Sequence, residues 1–265
     1  MAGSTLQVLM LGDIVGQPGL RAATLLVPKL VKKHRADLVI MNGENADGGF
    51  GISPENAQVI FDAGVDVITT GNHVWQHKQI RDLLSNEPTI IRPANYPGSP
   101  PGHGYTVREI KGKRIAVMQL QGRVRLSNID CPFRKSRDML RSLKAEADVV
   151  LCEFHAEASD ETEAIGQYLD GLVAAVAGTH RHVQTADERI LPGGTAYITD
   201  LGMTGPEGSV IGFQPDTSIR RSLTQLPLKN EVHQAPSAVH GVVISIEPET
   251  GLSTSIQRIR EVSAI

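Results

Sequence analysis

Gly178-Thr179-His180-Arg181-His182 sets two imidazoles two residues apart, directly after the apolar run Leu172-Val173-Ala174-Ala175-Val176-Ala177. The apolar run reads as a buried strand. Two histidines at the end of a strand can turn toward one point and clamp a metal ion, since imidazole suits zinc, iron, manganese and copper. Four other strand-like runs end the same way. Residues 6–11 lead into Asp13, residues 38–41 into Glu44 and Asn45, residues 65–70 into Asn72 and His73, and residues 149–152 into His155. Taken singly, these groups have simpler uses: Asp13 as a turn residue or helix cap, Asn45 and Asn72 as turn residues beside glycine, His155 as a hydrogen-bonded strand end. Their repetition at successive strand ends argues for one shared site, because ligands of open α/β sheets bind beyond the carboxyl ends of the strands.

The donor set is oxygen and imidazole without thiolate. A closed structural zinc site, which usually includes cysteine, does not fit it. Asp13, Glu44, Asn45, Asn72, His155, His180 and His182 are too many ligands for one tetrahedral ion. They suit a pair of ions roughly 3.5–4 Å apart that share a carboxylate and acidify a water to a hydroxide nucleophile. Glu44 is the natural bridge, since its strand falls in sequence between those ending in Asp13 and Asn72. His73 stands apart: if Asn72 ligates through its side-chain oxygen, His73 is free to protonate a leaving oxygen as general acid.

The elements that must position these groups read in order as follows. Leu6–Leu11 is a strand, residues 12–16 a turn, and residues 19–35 a helix that Pro28 should kink or break. Residues 38–41 form a strand, and Gly48, Gly49 and Gly51 mark a glycine-rich loop. Ser53-Pro54 is an N-cap followed by proline at the first helical position, opening a helix to about residue 63. A strand at 65–70, a short helix at 76–84 and a proline- and glycine-rich loop at 92–104 follow. Residues 105–110 and 114–120 read as a hairpin, residues 123–147 as polar and helical in their second half, and residues 149–152 as a buried strand. After a helix at 160–169 and the strand before His180 come a strand at 195–200, a long loop at 202–216 and a hairpin of residues 239–246 and 252–258. The order begins β-α-β-α-β and then turns more antiparallel, which predicts an α/β sandwich with a mixed sheet or two facing sheets.

Composition narrows the function classes. The 265 residues suit one large domain, 1–265, with a substantial core. Aromatics make up only 4%, so small and branched aliphatics must fill that core, as under parallel sheets. The net charge of −3 argues against bulk nucleic-acid binding. The two cysteines, Cys131 and Cys152, form no disulfide or metal motif, which points to a reducing compartment. No signal peptide or membrane span is evident, so the expected location is cytoplasmic.

The five blocks Gly12-Asp13-Ile14-Val15, Gly43-Glu44-Asn45, Gly71-Asn72-His73-Val74, Phe154-His155-Ala156-Glu157 and Gly178-Thr179-His180-Arg181-His182 resemble, in order and spacing, the calcineurin-like metallophosphoesterase superfamily. Val15 stands where that pattern has a histidine, Glu44 where it has the bridging aspartate, and Val74 where it has an acidic residue. This altered set, with the run Gly-Glu-Asn-Ala-Asp-Gly-Gly-Phe-Gly-Ile at 43–52, resembles the YmdB-like bacterial subgroup along nearly the full chain. The resemblance implies a four-layer αββα sandwich with two mixed sheets. It implies a phosphodiesterase acting on 2′,3′-cyclic nucleotides, with nucleotidase activity as an accompaniment. It implies two transition-metal ions, iron or manganese first, with zinc or cobalt as alternatives. By the same resemblance Asp13, Glu44, Asn45 and His182 would hold one ion, with Asn45 compensating for Val15, and Glu44, Asn72, His155 and His180 the other. His73 would protonate the departing ribose oxygen.

Phe50 and Trp75 flank the site in sequence as candidates to stack on a base, and Arg181 as a candidate to steer phosphate. Rival readings are a phosphomonoesterase or nucleotidase, an RNA nuclease using the basic stretch Arg123, Arg125, Arg134, Lys135, Arg137 and Arg141, and a non-catalytic metal-dependent regulator. For the last, residues 202–238 would be a partner or homo-oligomer surface.

Overall fold

The structure is a computed structural model and describes residues 5–263. It is a mixed α/β fold with two mixed sheets and, among the described residues, six helices. The elements are β1 (Leu6–Leu11), β2 (Asp13–Ile14), α1 (Gly16–His34), β3 (Leu38–Asn42), α2 (Pro54–Asp62), β4 (Val67–Thr69) and α3 (Ile80–Asn86). Then come β5 (Tyr105–Ile110), β6 (Lys113–Gln121), α4 (Pro132–Glu146), β7 (Val149–His155), α5 (Ser159–Leu169) and β8 (Ala175–Thr179). The chain closes with β9 (Arg189–Ile190), β10 (Ala196–Ile198), β11 (Met203–Pro206), α6 (Pro215–Thr224), β12 (Ser237–Glu247) and β13 (Leu252–Val262).

The first sheet runs β2-β11-β12-β1-β3-β4, with β13 also paired to β12. Here β1, β3 and β4 are parallel and β12 lies antiparallel to β1. The second sheet runs β5-β6-β7-β8-β10-β9, parallel from β6 through β10. Strand side chains alternate between two buried faces, which is why these runs are apolar throughout. Val8 and Met10 of β1 join Ile40, Val67, Val117, Leu151 and Ala177 in a cluster built from both sheets. Leu9 and Leu11 instead pack with Val27 and Leu30 of α1, Ile60 of α2 and Leu84 of α3. A third cluster sets Cys152, Phe154 and Val176 against Leu143 of α4 and Ile165 of α5. Cys152 is a free thiol in that apolar setting, pushed upward in pKa by burial.

Several elements differ from expectation for local reasons. Helix α1 starts at Gly16 and runs through Pro28 without a break. Its buried face, including Leu20, Val27 and Leu30, is held by the first sheet, and that packing outweighs the one backbone bond proline removes. The expected turn at 12–16 contains β2, and the expected loop at 202–216 contains β11; they pair in parallel, Asp13 with Met203 and Ile14 with Thr204. Strands this short carry no readable periodicity. β7 continues through His155, because Glu153 and His155 are buried polar residues inside the sheet. β8 begins only at Ala175 and extends to Thr179, leaving Leu172 exposed before it. The Ser53 cap is as expected, its hydroxyl accepting from the Asn56 amide at 3.2 Å.

Candidate metal centre

The predicted residues converge because both sheets deliver their strand ends to one place. Asp13 lies on β2, Glu44 and Asn45 just past β3, Asn72 and His73 past β4, His155 at the end of β7, and His180 and His182 past β8. The register pairs Gln121, His155 and Thr179 across β6, β7 and β8. Asn45 is brought beside β2 by a parallel bridge to Val15 and by its carbonyl, which accepts from Gly16 N at 2.9 Å. Two glycines of the motifs are there for space. A Cβ at Gly71 would lie 2.2 Å from Glu44 Oε2 and 2.5 Å from His155 Nε2, and one at Gly178 would lie 1.8 Å from the Thr199 carbonyl oxygen.

Glu44 sits at the centre. Its Oε1 is 3.0 Å from His155 Nε2 and 3.5 Å from His73 Nδ1, and its Oε2 accepts from the His73 backbone at 3.2 Å. His155 Nε2 is also 3.0 Å from Asn72 Oδ1 and 3.0 Å from His180 Nδ1. Glu44, His155 and His180 offer ligand atoms within 4.8 Å of one another. On the other side, His182 Nε2 lies 3.0 Å from Asn45 Nδ2 and 4.0 Å from Asp13 Oδ1. Asp13 Oδ2 accepts from the His180 backbone at 3.2 Å, while Oδ1 is buried without a hydrogen-bond partner. His180 and His182 both have positive φ, 109° and 63°, a strained backbone for residues with side chains.

Each of the three clustered imidazoles has its outer nitrogen engaged. His155 Nδ1 is 2.9 Å from Thr179 Oγ1, His180 Nε2 is 3.1 Å from Glu157 Oε2, and His182 Nδ1 is 2.8 Å from the Ile211 carbonyl. The inner nitrogens are thereby turned toward the buried carboxylates, the arrangement that orients metal-ligating histidines.

The electrostatics of the site point the same way. Burial raises Asp13, against the attraction of His182 and His155. Burial would raise Glu44 too, but the His155 and His73 imidazoles hold it well below the usual carboxylate range. Burial opposes charge on His155, yet Glu44 and Asp13 lift it to about 9. His180 is lowered to about 3 by burial and by His155. Asp13 and Glu44 have no lysine or arginine partner among the described residues, and the groups they face are the imidazoles of His155, His73 and His182. A buried anionic pocket with converging imidazole nitrogens and an orphaned carboxylate oxygen fits hard or borderline cations.

A cavity of about 370 Å³ opens over these groups, lined by Glu44, Asn45, His73, His180 and His182 and walled by Phe50 and Phe213. Phe50 stacks on Phe213 at 5.5 Å and meets the His73 ring edge-on at 5.2 Å. Trp75 is not a wall; it packs edge-on against Tyr96 beside the core. Arg181 lines the cavity, but its guanidinium reaches Ser159 and its backbone amide donates to Asp200 Oδ2 at 2.9 Å. Sequence reading passed over Glu153, Glu157, Thr179 and Asp200. Glu153 and Asp200 did leave a signal, as acidic residues at the ends of apolar strands.

The family model of YmdB-like proteins matches residues 9–259. This chain belongs to the YmdB-like family. It is 43% identical over 254 residues to the 2′,3′-cyclic-nucleotide 2′-phosphodiesterase of Bacillus subtilis, covering 96% of each protein. Among solved structures, a hypothetical protein from Thermus thermophilus superposes with a TM-score of 0.92 at 39% identity, covering 97% of this chain and 100% of that one. A protein from Mycoplasma pneumoniae described as a novel phosphatase superposes with a TM-score of 0.92 at 34% identity, covering 98% and 94%. The resemblance drawn from the five sequence blocks is therefore borne out for this YmdB-like chain. Among the described residues no helix is long and apolar enough to cross a membrane.

Proposed function

We propose that this YmdB-like chain is a metal-dependent phosphoric diester hydrolase acting on small phosphodiesters, 2′,3′-cyclic nucleotides foremost. The observation that carries this reading is the convergence of His155, His180 and His182 on buried Asp13 and Glu44, each outer imidazole nitrogen already engaged. The name of the Bacillus subtilis relative, at 43% identity, supports the choice of substrate. The described residues 5–263 form a single domain in this reading, and the three apolar clusters would be the seams of a four-layer αββα sandwich.

One ion would be held by Asp13, Glu44, Asn45 and His182, the other by Glu44, Asn72, His155 and His180. Iron or manganese are the first choices, with zinc or cobalt compatible with the same donors. When bound, the ions supply Lewis acidity at the phosphoryl group and a nucleophile at neutral pH. Asn45 now shows its nitrogen to His182 and its oxygen to His73 Nδ1, at 2.8 Å. The Asn45 oxygen has two lone pairs, so it can accept from His73 Nδ1–H and would still have one to offer an ion. A doubly protonated His73 would hold its Nδ1 proton on that oxygen and carry a second proton on Nε2 for the leaving ribose oxygen, the ring ending neutral. Phe50 and Phe213 offer an apolar wall on which a base can stack.

A phosphomonoesterase is the second reading, favoured by the description of the Mycoplasma pneumoniae structure as a phosphatase. The test pairs metal content of the purified protein with hydrolysis of 2′,3′-cyclic AMP, bis-p-nitrophenyl phosphate and p-nitrophenyl phosphate. About two ions per chain and a preference for the diesters are expected. Turnover of the monoester alone would favour the phosphatase, and a metal-loaded but inert protein would favour a regulator.

A further inference from the structure

His180 and His182 lean on acceptors that leave no choice of tautomer: a carboxylate oxygen of Glu157 and the carbonyl of Ile211. His155 leans on the Thr179 hydroxyl, which can donate or accept. What lies behind Thr179 therefore decides whether a singly protonated His155 carries its proton on Nδ1 or on Nε2, the nitrogen that faces the centre. Behind it is Glu153, wholly buried two residues before His155 on the same strand and on the same face.

Thr179 Oγ1 is 3.0 Å from Glu153 Oε1. The other neighbours of that carboxylate are donors. Asn42 Nδ2 donates to Oε1 at 2.8 Å, Gln119 Nε2 donates to Oε1 at 3.2 Å, and Thr69 Oγ1 donates to Oε2. These partners come from β3, β4 and β6, so Glu153 ties the two sheets together directly beneath the centre. Such a setting is expensive for a carboxylate unless its lone pairs are filled, and here they are filled from both sheets.

We propose that Glu153 is a positioning residue for the metal centre, acting through Thr179. By accepting the Thr179 hydroxyl proton, Glu153 leaves Thr179 Oγ1 only its lone pairs toward His155. With an ion bound, His155 would then keep its proton on Nδ1 and present a bare Nε2 beside Glu44, Asn72 and His180. The chain His155–Thr179–Glu153 does through a hydroxyl what Glu157 does directly for His180. This inference rests on the metal-centre reading above.

Thr179→Val removes the hydroxyl at nearly constant volume, and Thr179→Ser restores it. The readout is the Mn(II) dissociation constant of metal-stripped protein, with thermal melting of the stripped proteins as the check of folding. Thr179→Val should bind Mn(II) about 10–100-fold more weakly, and Thr179→Ser within about threefold of the native protein. Glu153→Gln should weaken binding in the same direction, and serves if Thr179→Val does not fold. Nitrogen-15 spectra of the zinc-loaded native protein should show the His155 proton on Nδ1. A folded Thr179→Val or Glu153→Gln protein that binds Mn(II) like the native one, or a His155 proton on Nε2, overturns the relay and leaves the metal centre standing. A native protein that takes up no Mn(II), iron or zinc overturns the metal centre itself, and the relay with it.

Discussion

Strand β7 begins beside one depression and ends in another. At its start, Val150 borders a depression of about 800 Å³ whose charged wall is Arg134, Arg137, Arg141 and Lys144 of α4. At its end, His155 lies against Glu44 and His180, which line the cavity of about 370 Å³ together with Asn45, His73 and His182. The larger depression has the commonplace chemistry. Its cations repeat at helical spacing on one exposed helix. Arg141 pairs with Asp138 three residues away at 3.2 Å, and Arg137 lies over the Tyr168 ring at 5.0 Å. The smaller one is lined by groups from the segments after β3, β4 and β8, and these rest on buried Asp13 of β2 and His155 of β7. Charges on a solvated face cost little to place and signify little. Burying Asp13, Glu44, His155 and His182 together, with half-buried His180 against them, is costly unless something binds there, so convergence marks the candidate site better than volume. The basic stretch that offered an RNA groove thus has Arg134, Arg137 and Arg141 at the opposite end of β7 from the candidate centre.

Substitutions can break that contrast. The largest effect belongs to His155→Ala, which removes the imidazole nearest Glu44. Diester hydrolysis should fall by more than about 10³-fold and metal content should drop with it. Elemental analysis beside bis-p-nitrophenyl phosphate turnover checks this, and a chelator should reproduce it in the native protein. Unchanged turnover would move the chemistry away from this end of the strand.

His73→Ala should be intermediate and selective. With 2′,3′-cyclic AMP, kcat should fall roughly 10²–10⁴-fold because the ribose oxygen needs a proton to leave. With bis-p-nitrophenyl phosphate, whose leaving group departs as a stable anion, the loss should be far smaller, and metal content should hold. Equal losses on both substrates would make His73 a site-building residue and not the acid.

The smallest effect should come from the other depression. Arg134→Ala with Lys144→Ala removes two of its charges while leaving the buried centre intact. Turnover of 2′,3′-cyclic AMP should change by less than about twofold, as for surface substitutions generally. A larger loss would show that the two ends of β7 act together.

Much of this was legible before any fold was known. The long apolar runs announced β1, β3, β7 and β12 because buried strands need continuous aliphatic sequence, and Ser53-Pro54 announced α2 because capping is local chemistry. Asp13, Glu44, Asn45, Asn72, His73, His155, His180 and His182 were legible because each follows or ends a readable strand. What sequence could not supply were the pairings between distant short pieces. The alignment of β2 with β11 depends on a register 190 residues apart in Asp13 and Met203, and no local pattern encodes that. The choice of Trp75 for the core and Phe50 for the cavity wall turned on which face their loops present. Glu153 is the sharpest case. In sequence it is one acid after an apolar run; only when β3, β4, β6 and β8 close around it do Asn42, Thr69, Gln119 and Thr179 become its partners. Residue types and their periods set the local conformation and the chemistry available, whereas the closing of two sheets on one another decides which of those groups lose water together and so which must satisfy each other.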